Sequence, residues 1–376
     1  MPFSKYRTLF PVTTQKIYLN HAAISPLSTR VTDRLEWYLD ERGFGDIDVF
    51  AKAKEIREEA RRTISELIHG AADNIAFIGN TSEGFNHLVN GLPWKKGDRV
   101  VLTDYEFPSN IYPFKNLERF GVEIVYVANR DGQIFLEDVE QALTPRTRLL
   151  SISFVEFSNG FRNDLPELGR LCRERNIIFS VDGIQGTGAL PMRVEEWGVD
   201  FLSNGGHKWL MGTMGAGFMY IAPHLLEQLT PAFTGWLAVE QPWDFFNYRQ
   251  SLVPDARRFE YATANFMGIT ALAASAGLLL EAGPEKIEQH LLSLGDYLID
   301  QLSELGLEFK GSTERNHRSG IYSFGGKNTE ELFHHLTGQR IICSLRNGLL
   351  RISPHFYNTK AEIEELINEV KRFYQQ

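Results

Sequence analysis

An alternation constrains this chain more than any other feature. Over much of the first 260 residues, short apolar segments recur at Asn74–Ile78, Arg99–Leu102, Glu123–Val127, Leu149–Phe154, Ile177–Val181, Phe201–Ser203 and Gly217–Ile221. Amphipathic stretches at helical spacing fall between several of them: Glu83–Gly91, Pro113–Phe120, Leu136–Leu143 and Leu165–Glu174. Short apolar runs of this length make buried strands, and a strand–helix–strand return lays the next strand parallel to the last. The pattern predicts an α/β fold whose main element is a mostly parallel sheet of seven strands with helices on both faces.

The pattern changes after Ala264–Glu281, which reads as a long apolar helix ended by Gly283-Pro284. Helix Lys286–Leu305 leads to strands near Leu307–Lys310 and Ser319–Phe324. Helix Thr329–Leu336, strands near Arg340–Leu345 and Leu349–Ser353, and a last helix from about Lys360 complete a smaller α+β unit. No internal repeat, low-complexity tract or heptad run is present. The 376 residues carry 48 acidic and 39 basic side chains, a net charge of -9, which argues against nucleic acid or an anionic membrane as the main partner. No apolar run approaches the roughly 18 residues that span a bilayer. The opening MPFSKYRTLFPVTTQKIY has no apolar core and no small-residue cleavage site, so no signal peptide is read and a cytoplasmic location is expected. Two cysteines, Cys172 and Cys343, cannot build a disulfide framework, which fits a reducing compartment.

The strongest chemical signal is Ile177-Ile-Phe-Ser-Val-Asp182-Gly-Ile-Gln185, a buried strand that ends in a carboxylate. Ligands of doubly wound sheets sit at the carboxyl ends of strands, although a lone Asp there also serves as a helix cap or a metal ligand. The next strand runs into Asn204-Gly-Gly-His207-Lys208-Trp209, and the glycines let the backbone approach something closely. Asp182 and Lys208 lie about one strand–helix–strand step apart and emerge near one edge of the sheet. Pyridoxal-phosphate chemistry needs such a pair: an amine to bond the cofactor aldehyde, and a carboxylate to keep the pyridine nitrogen protonated. Gln185 is placed to hydrogen-bond the ring hydroxyl. The segment from Asn74 to Gly84, a strand followed by Thr81, Ser82 and a helix start, offers backbone N–H groups and hydroxyls to a phosphate; the bland alternative is an ordinary N-cap.

With these motifs in this order, the sequence resembles the class V aminotransferase and cysteine desulfurase family of fold type I pyridoxal-phosphate enzymes, from Tyr18-Leu-Asn-His-Ala-Ala23 to Arg351-Ile-Ser-Pro-His-Phe-Tyr-Asn-Thr359. The resemblance implies a large cofactor-binding domain over 21–260. The small domain would take 1–20 and 261–376, with 261–281 as the linking helix. It makes Lys208 the Schiff-base lysine, with Asp182 at the ring nitrogen and Gln185 at the ring hydroxyl. Thr81, Ser82 and His207 become phosphate-binding residues, and Thr263 would reach the phosphate of a neighbouring subunit, so that a homodimer shares its active sites. Phe107 falls where the family stacks a ring on the cofactor. Arg351 would clamp the substrate carboxylate with its planar fork. Arg346 is a weaker candidate nearby. Asn20 and Ala23, and the segment Phe233–Trp236, are candidate linings of the substrate pocket.

Departures from the family bear on the reaction. Desulfurases place His where this chain has Phe107, and a phenyl ring moves no proton. They also carry a nucleophilic Cys in a loop before the carboxylate-binding Arg, where this chain has only Asn-Gly-Leu-Leu between Arg346 and Arg351. Cys343 and Cys172 read as inert buried thiols. Phe157 stands where relatives often have an Asn near the ring hydroxyl, with Ser158 and Asn159 adjacent. Gly205 stands where they often have a phosphate-binding Ser. The run Gly212–Gly217 lacks dinucleotide-loop spacing, and His334-His335 has no partner at zinc spacing, so no metal is expected. The expected function is transfer of the α-amino group of a small amino acid to a keto acid, without nucleic acid or membrane. A C–S lyase, desulfurase-like or epimerase reaction is the alternative, and a non-catalytic scaffold is least favoured because Lys208, Asp182 and Arg351 are all kept.

Overall fold

Burial explains why the strands form where they do. In the computed structural model, which describes residues 3–375, most of the apolar runs are covered on both faces, while Glu123–Val127 at the sheet edge is partly exposed. The strands in chain order are β1 (Ile17–Tyr18), β2 (Ile75–Ile78), β3 (Arg99–Thr103), β4 (Glu123–Val127), β5 (Thr147–Ser153), β6 (Ile178–Asp182), β7 (Phe201–Gly205), β8 (Gly217–Ile221), β9 (Glu308–Phe309), β10 (Tyr322–Gly325), β11 (Ile341–Ile342), β12 (Ser344–Arg346) and β13 (Leu349–Ile352). Strands β2 to β8 form one sheet in the order β2-β8-β7-β6-β5-β3-β4, in which only β8 runs antiparallel to its neighbours. Successive residues serve opposite faces, as a pleat requires. Leu202 and Val101 join the core on one side of the sheet, and Phe201, Val100 and Leu102 join the core on the other.

Strands β9, β10, β13 and β12 make a second, antiparallel sheet, and β11 pairs in parallel with β1. The single strand expected over Arg340–Leu345 is thus two: the chain changes partner at Cys343, from β1 to β13. The helix expected over Pro113–Phe120 is likewise split, into Tyr112–Lys115 and a 3-10 turn over Asn116–Phe120. Gly283, at φ +89°, separates helix Phe266–Ala282 from helix Pro284–Glu304. The N-terminal arm lays Phe3, Tyr6 and Phe10 against Phe356, and Phe10 stacks on Tyr357 at 3.8 Å. Met1, Pro2 and Gln376, which the domain reading gives to the smaller unit, lie outside the described residues. Among the described residues no single helix is long and apolar enough to cross a membrane.

Helices Thr29–Gly43 and Phe50–Ile68 precede the sheet, and the second is anchored by an ion pair. Arg61 is fully buried; it donates to Glu260 Oε1 at 2.9 Å and Oε2 at 3.2 Å, and Glu260 Oε1 also accepts the Phe77 N–H at 2.9 Å. Removing one partner of a buried pair strands the other charge. Glu260→Ala is therefore expected to lower the unfolding free energy by about 3–5 kcal/mol, seen as a lower urea midpoint. An unchanged midpoint would show that Arg61 finds another acceptor.

Candidate active site

Strand register gathers the chemistry at one edge of the large sheet. Ser153, Asp182 and Ser203 are cross-strand neighbours at the carboxyl ends of β5, β6 and β7. Asp182 is buried; its Oδ1 accepts the Ile184 N–H at 3.0 Å, while Oδ2 has no partner. Beyond β7 the chain folds back on itself: Gly206 N–H donates to Ala216 at 2.8 Å, and Gly212 N–H to Gly206 at 2.8 Å. A side chain at Gly206 would come within 2.8 Å of the Ala216 carbonyl, so glycine is required for the close approach. This turn presents Lys208, 9% exposed, to a cavity of about 380 Å³, with its Nζ 5.3 Å from the centre of the Phe107 ring.

Burial sets the charge states. It lowers Lys208 to about 8, opposed by Asp182 and reinforced by Arg351 and Arg346. It raises Asp182 to about 6, against the Ile184 N–H and the Lys208 charge. Only an unprotonated amine bonds to an aldehyde carbon, so uptake of pyridoxal phosphate by the cofactor-free protein is expected to accelerate as pH rises through about 8. Stopped-flow absorbance checks this, and a rate that stays flat across that pH contradicts it.

One end of the cavity suits a phosphate. Helix Thr81–Gly91 points its N-terminus there, capped by Asn80, whose side chain accepts the Glu83 N–H at 3.0 Å. Thr81 Oγ1 is buried without a partner, and Ser82 Oγ donates to Ser109 Oγ at 3.0 Å. His207 also faces the cavity, its pKa lowered by burial and then by Lys208. Gly205 keeps the space open, since a Cβ there would sit 3.2 Å from Thr81 Oγ1. Asn80 and Ser109 were not singled out from sequence; Ser109 follows Phe107 in the same turn, which was the available signal.

The other end suits a carboxylate. Arg351 is buried; its Nε donates to Ser344 Oγ at 3.2 Å and its Nη1 to the Phe157 carbonyl at 2.6 Å, and it makes no ion pair among the described residues. Burial and then Arg346 lower its pKa to about 10. Ala22, Ala23, Phe157 and Arg346 complete this wall. Phe107 meets Phe157 edge-on at 5.3 Å. The Phe107 turn rests on Glu106, a residue sequence reasoning missed. Its buried carboxylate accepts from Ser153 N–H at 2.8 Å, Ser153 Oγ at 2.6 Å and Asn110 Nδ2 at 2.9 Å, and burial raises its pKa.

The structure therefore brings Ala23, Thr81, Ser82, Phe107, Asp182, Gln185, His207, Lys208, Arg346 and Arg351 around one cavity. It does not bring in the rest. Asn20 lies outside this lining, in a bridge to Ser353, with its Oδ1 buried and unpartnered. Thr263 lines a separate cavity with Gly79, Glu83 and Tyr261. Phe233 packs near His87 and Tyr261, and Trp236 against Phe50 and Trp243, and neither lines this cavity. Asn159 turns its amide to the Gly132 carbonyl at 2.8 Å and the Lys310 carbonyl at 3.2 Å, and the Ser158 carbonyl accepts Ser323 Oγ at 2.6 Å; neither residue lines the cavity. Both cysteines are buried in hydrophobic cores with their thiols pushed up by burial, Cys343 to about 12. His335, half-buried, meets Glu369 at 3.2 Å.

This donor set fits pyridoxal phosphate. Two buried polar atoms on residues that line this cavity lack protein partners, Asp182 Oδ2 and Thr81 Oγ1, and they sit where a protonated ring nitrogen and a phosphate need them. A buried charge or hydroxyl without a partner is costly, and a ligand that bonds to it removes the cost.

The relatives agree. The family model for class V aminotransferases matches residues 17–366. An uncharacterised aminotransferase of Bacillus subtilis, YcbU, is 27% identical over 366 residues, covering 97% of this chain and 96% of that one. A probable cysteine desulfurase of Pyrococcus abyssi is 30% identical over 385 residues, covering 95% and 94%. The structure is similar to that of a cysteine desulfurase from Thermococcus onnurineus, with a TM-score of 0.90 and 26% identity over 99% of this chain and 98% of that one. Matched over nearly its whole length, and carrying a lysine, an aspartate and a phosphate cradle in one cavity, the chain belongs to the class V aminotransferase family of pyridoxal-phosphate-dependent enzymes.

Proposed function

We propose that the enzyme transfers the α-amino group of a small amino acid to a keto acid, as a cytoplasmic homodimer with shared active sites. The observation that carries this reading is the cavity itself: Lys208, Asp182 and Arg351 converge there, while Cys172 and Cys343 are buried elsewhere. A desulfurase needs a thiolate at the site and a proton-transferring group at the position of Phe107; no cysteine lines this cavity, and a phenyl ring stands at that position.

Thr81, Ser82, His207 and the helix N-terminus would hold the cofactor phosphate, Asp182 the ring nitrogen and Gln185 the ring hydroxyl. When bound, the cofactor withdraws electrons from the substrate α-carbon. Arg351 would bind the substrate carboxylate through the fork edge it does not spend on Ser344 and Phe157, which orients the α-hydrogen toward Lys208. Lys208 would take the α-proton as general base and return it at the cofactor's aldehyde carbon, the position that gives transamination. Asp182 would keep its charge opposite the ring nitrogen throughout.

Two observations support a dimer. Thr263 lies in a separate cavity from Lys208, and Trp243, Phe245, Phe246 and Tyr248 form an exposed aromatic run of the kind that partners cover. The test is a spectrum of the holoenzyme with a panel of L-amino acids. One of them should convert a band near about 420 nm to one near about 330 nm, and a keto acid should restore it. Persistence of the first band with release of pyruvate, ammonia or sulfide would replace this reading with a C–S lyase; inversion at the α-carbon would replace it with an epimerase.

A further inference from the structure

Gln185 is held at both ends. Its Oε1 accepts the Trp209 indole N–H at 2.9 Å, and its Nε2 donates to the Ala22 carbonyl at 3.0 Å. The two partners leave no ambiguity about which end of the amide is which, because an indole nitrogen only donates and a backbone carbonyl only accepts. One N–H of Nε2 remains for the cavity that Gln185 lines. A flipped amide would set its nitrogen against the indole N–H and its oxygen against the Ala22 carbonyl, two mismatches in a buried place.

Trp209 itself cannot turn. It is fully buried, and its carbonyl accepts from His355 Nε2 at 3.0 Å, a ring whose Nδ1 accepts the Phe356 N–H and so leaves the proton on Nε2. Gly320 makes room for the far edge of the indole; a Cβ there would come within 2.5 Å of it. The Ala22 end is fixed too. The Ala22 N–H donates to Ser353 Oγ at 3.1 Å, and the His21 N–H to the Ser353 carbonyl at 3.1 Å. Phe157 offers no polar contact, neither Ser158 nor Asn159 lines the cavity, and Asn80, the other lining amide, caps the helix at the phosphate end, which leaves Gln185 for the ring hydroxyl.

We propose that Trp209 is a positioning residue: its indole N–H turns the Gln185 amide so that the cofactor's ring hydroxyl meets a donor and not an acceptor. The inference rests on reading this cavity as the cofactor site. A donor favours the ionised oxygen, so the pH midpoint of the bound cofactor's visible absorption reports it. Asp182, His207, Lys208, Arg346 and Arg351, the charged groups around the same cavity, are unchanged in every variant.

The experiment titrates that absorption in reconstituted wild type, Trp209→Phe, Gln185→Leu and the double variant. Each single change is expected to raise the midpoint by about one unit, the scale of a hydrogen bond to a charged oxygen. The double variant should shift no further than Gln185→Leu alone. An unchanged midpoint in Trp209→Phe, or a full additional shift in the double variant, overturns the proposal, since packing alone would then explain the residue. Should Trp209→Phe not fold, exchange of the Trp209 indole proton decides: it is expected to be slow in wild type and faster in Gln185→Leu, and equal rates overturn the proposal. Wild type that takes up no cofactor would sink the reading of the cavity instead, a result distinct from all of these.

Discussion

Lys208→Ala is expected to cut turnover by about 10³-fold or more while leaving the fold and cofactor binding in place. Lys208 is the one amine that lines the cavity, and in the proposed mechanism it does two jobs, holding the cofactor and moving the α-proton. The phosphate cradle at Thr81 and Ser82 and the Asp182 carboxylate are built by other elements and survive the change. The variant should therefore bind pyridoxal phosphate reversibly and lose it on dialysis. A small alkylamine, fitting the space left by the side chain, should restore part of the rate. Steady-state kinetics of purified variant and wild type measure the loss. Retention of a tenth of the activity would remove Lys208 from its central place.

Asp182→Asn should separate catalysis from stability. An amide cannot hold a proton on the ring nitrogen, so kcat is expected to fall by about 10²- to 10⁴-fold. The cofactor-free fold should gain. Asp182 is buried, and burial raises its pKa from 3.8 to about 6, so the native state resists the ionisation that the unfolded chain undergoes freely. Below the unfolded value both states are neutral and there is no cost. The cost appears as pH rises from 3.8 toward 6 and is complete above it. At neutral pH the substitution should therefore stabilise the cofactor-free protein by on the order of 3 kcal/mol, and the gain should vanish in acid. Urea unfolding at neutral and acid pH checks both halves. A variant less stable than wild type at neutral pH would mean that the carboxylate is satisfied by a partner the geometry does not show.

The strands of the large sheet were legible because most are buried apolar runs, β7 and β8 completely so, and there sequence hydrophobicity and structure report the same property; β4, at the sheet edge, is only partly buried. Asp182 and Lys208 were legible because they break those runs at strand ends, next to glycines. Helices Thr29–Gly43 and Phe50–Ile68 were not singled out. They are rich in charge, and the second buries Arg61 against Glu260, a partner 199 residues away that no local pattern announces. Glu106 escaped for the same reason. In sequence it reads as a solvated charge, and it is buried only because Ser153 and Asn110 converge on it from other elements. Asn20 and the Phe233–Trp236 segment were candidate linings of the substrate pocket; Asn20 bridges to Ser353, and neither it nor the segment lines the cavity within one chain. Trp209 carries no local signal beyond its place after the lysine; its indole N–H gains meaning only once Gln185 lies 2.9 Å away.

The most direct test of the central claim, that Lys208 holds pyridoxal phosphate, is borohydride reduction of the purified holoenzyme followed by peptide mapping. A single pyridoxyl label is expected, on the peptide that contains Asn204-Gly-Gly-His207-Lys208-Trp209. A label on any other lysine, or none after saturation with cofactor, would contradict it.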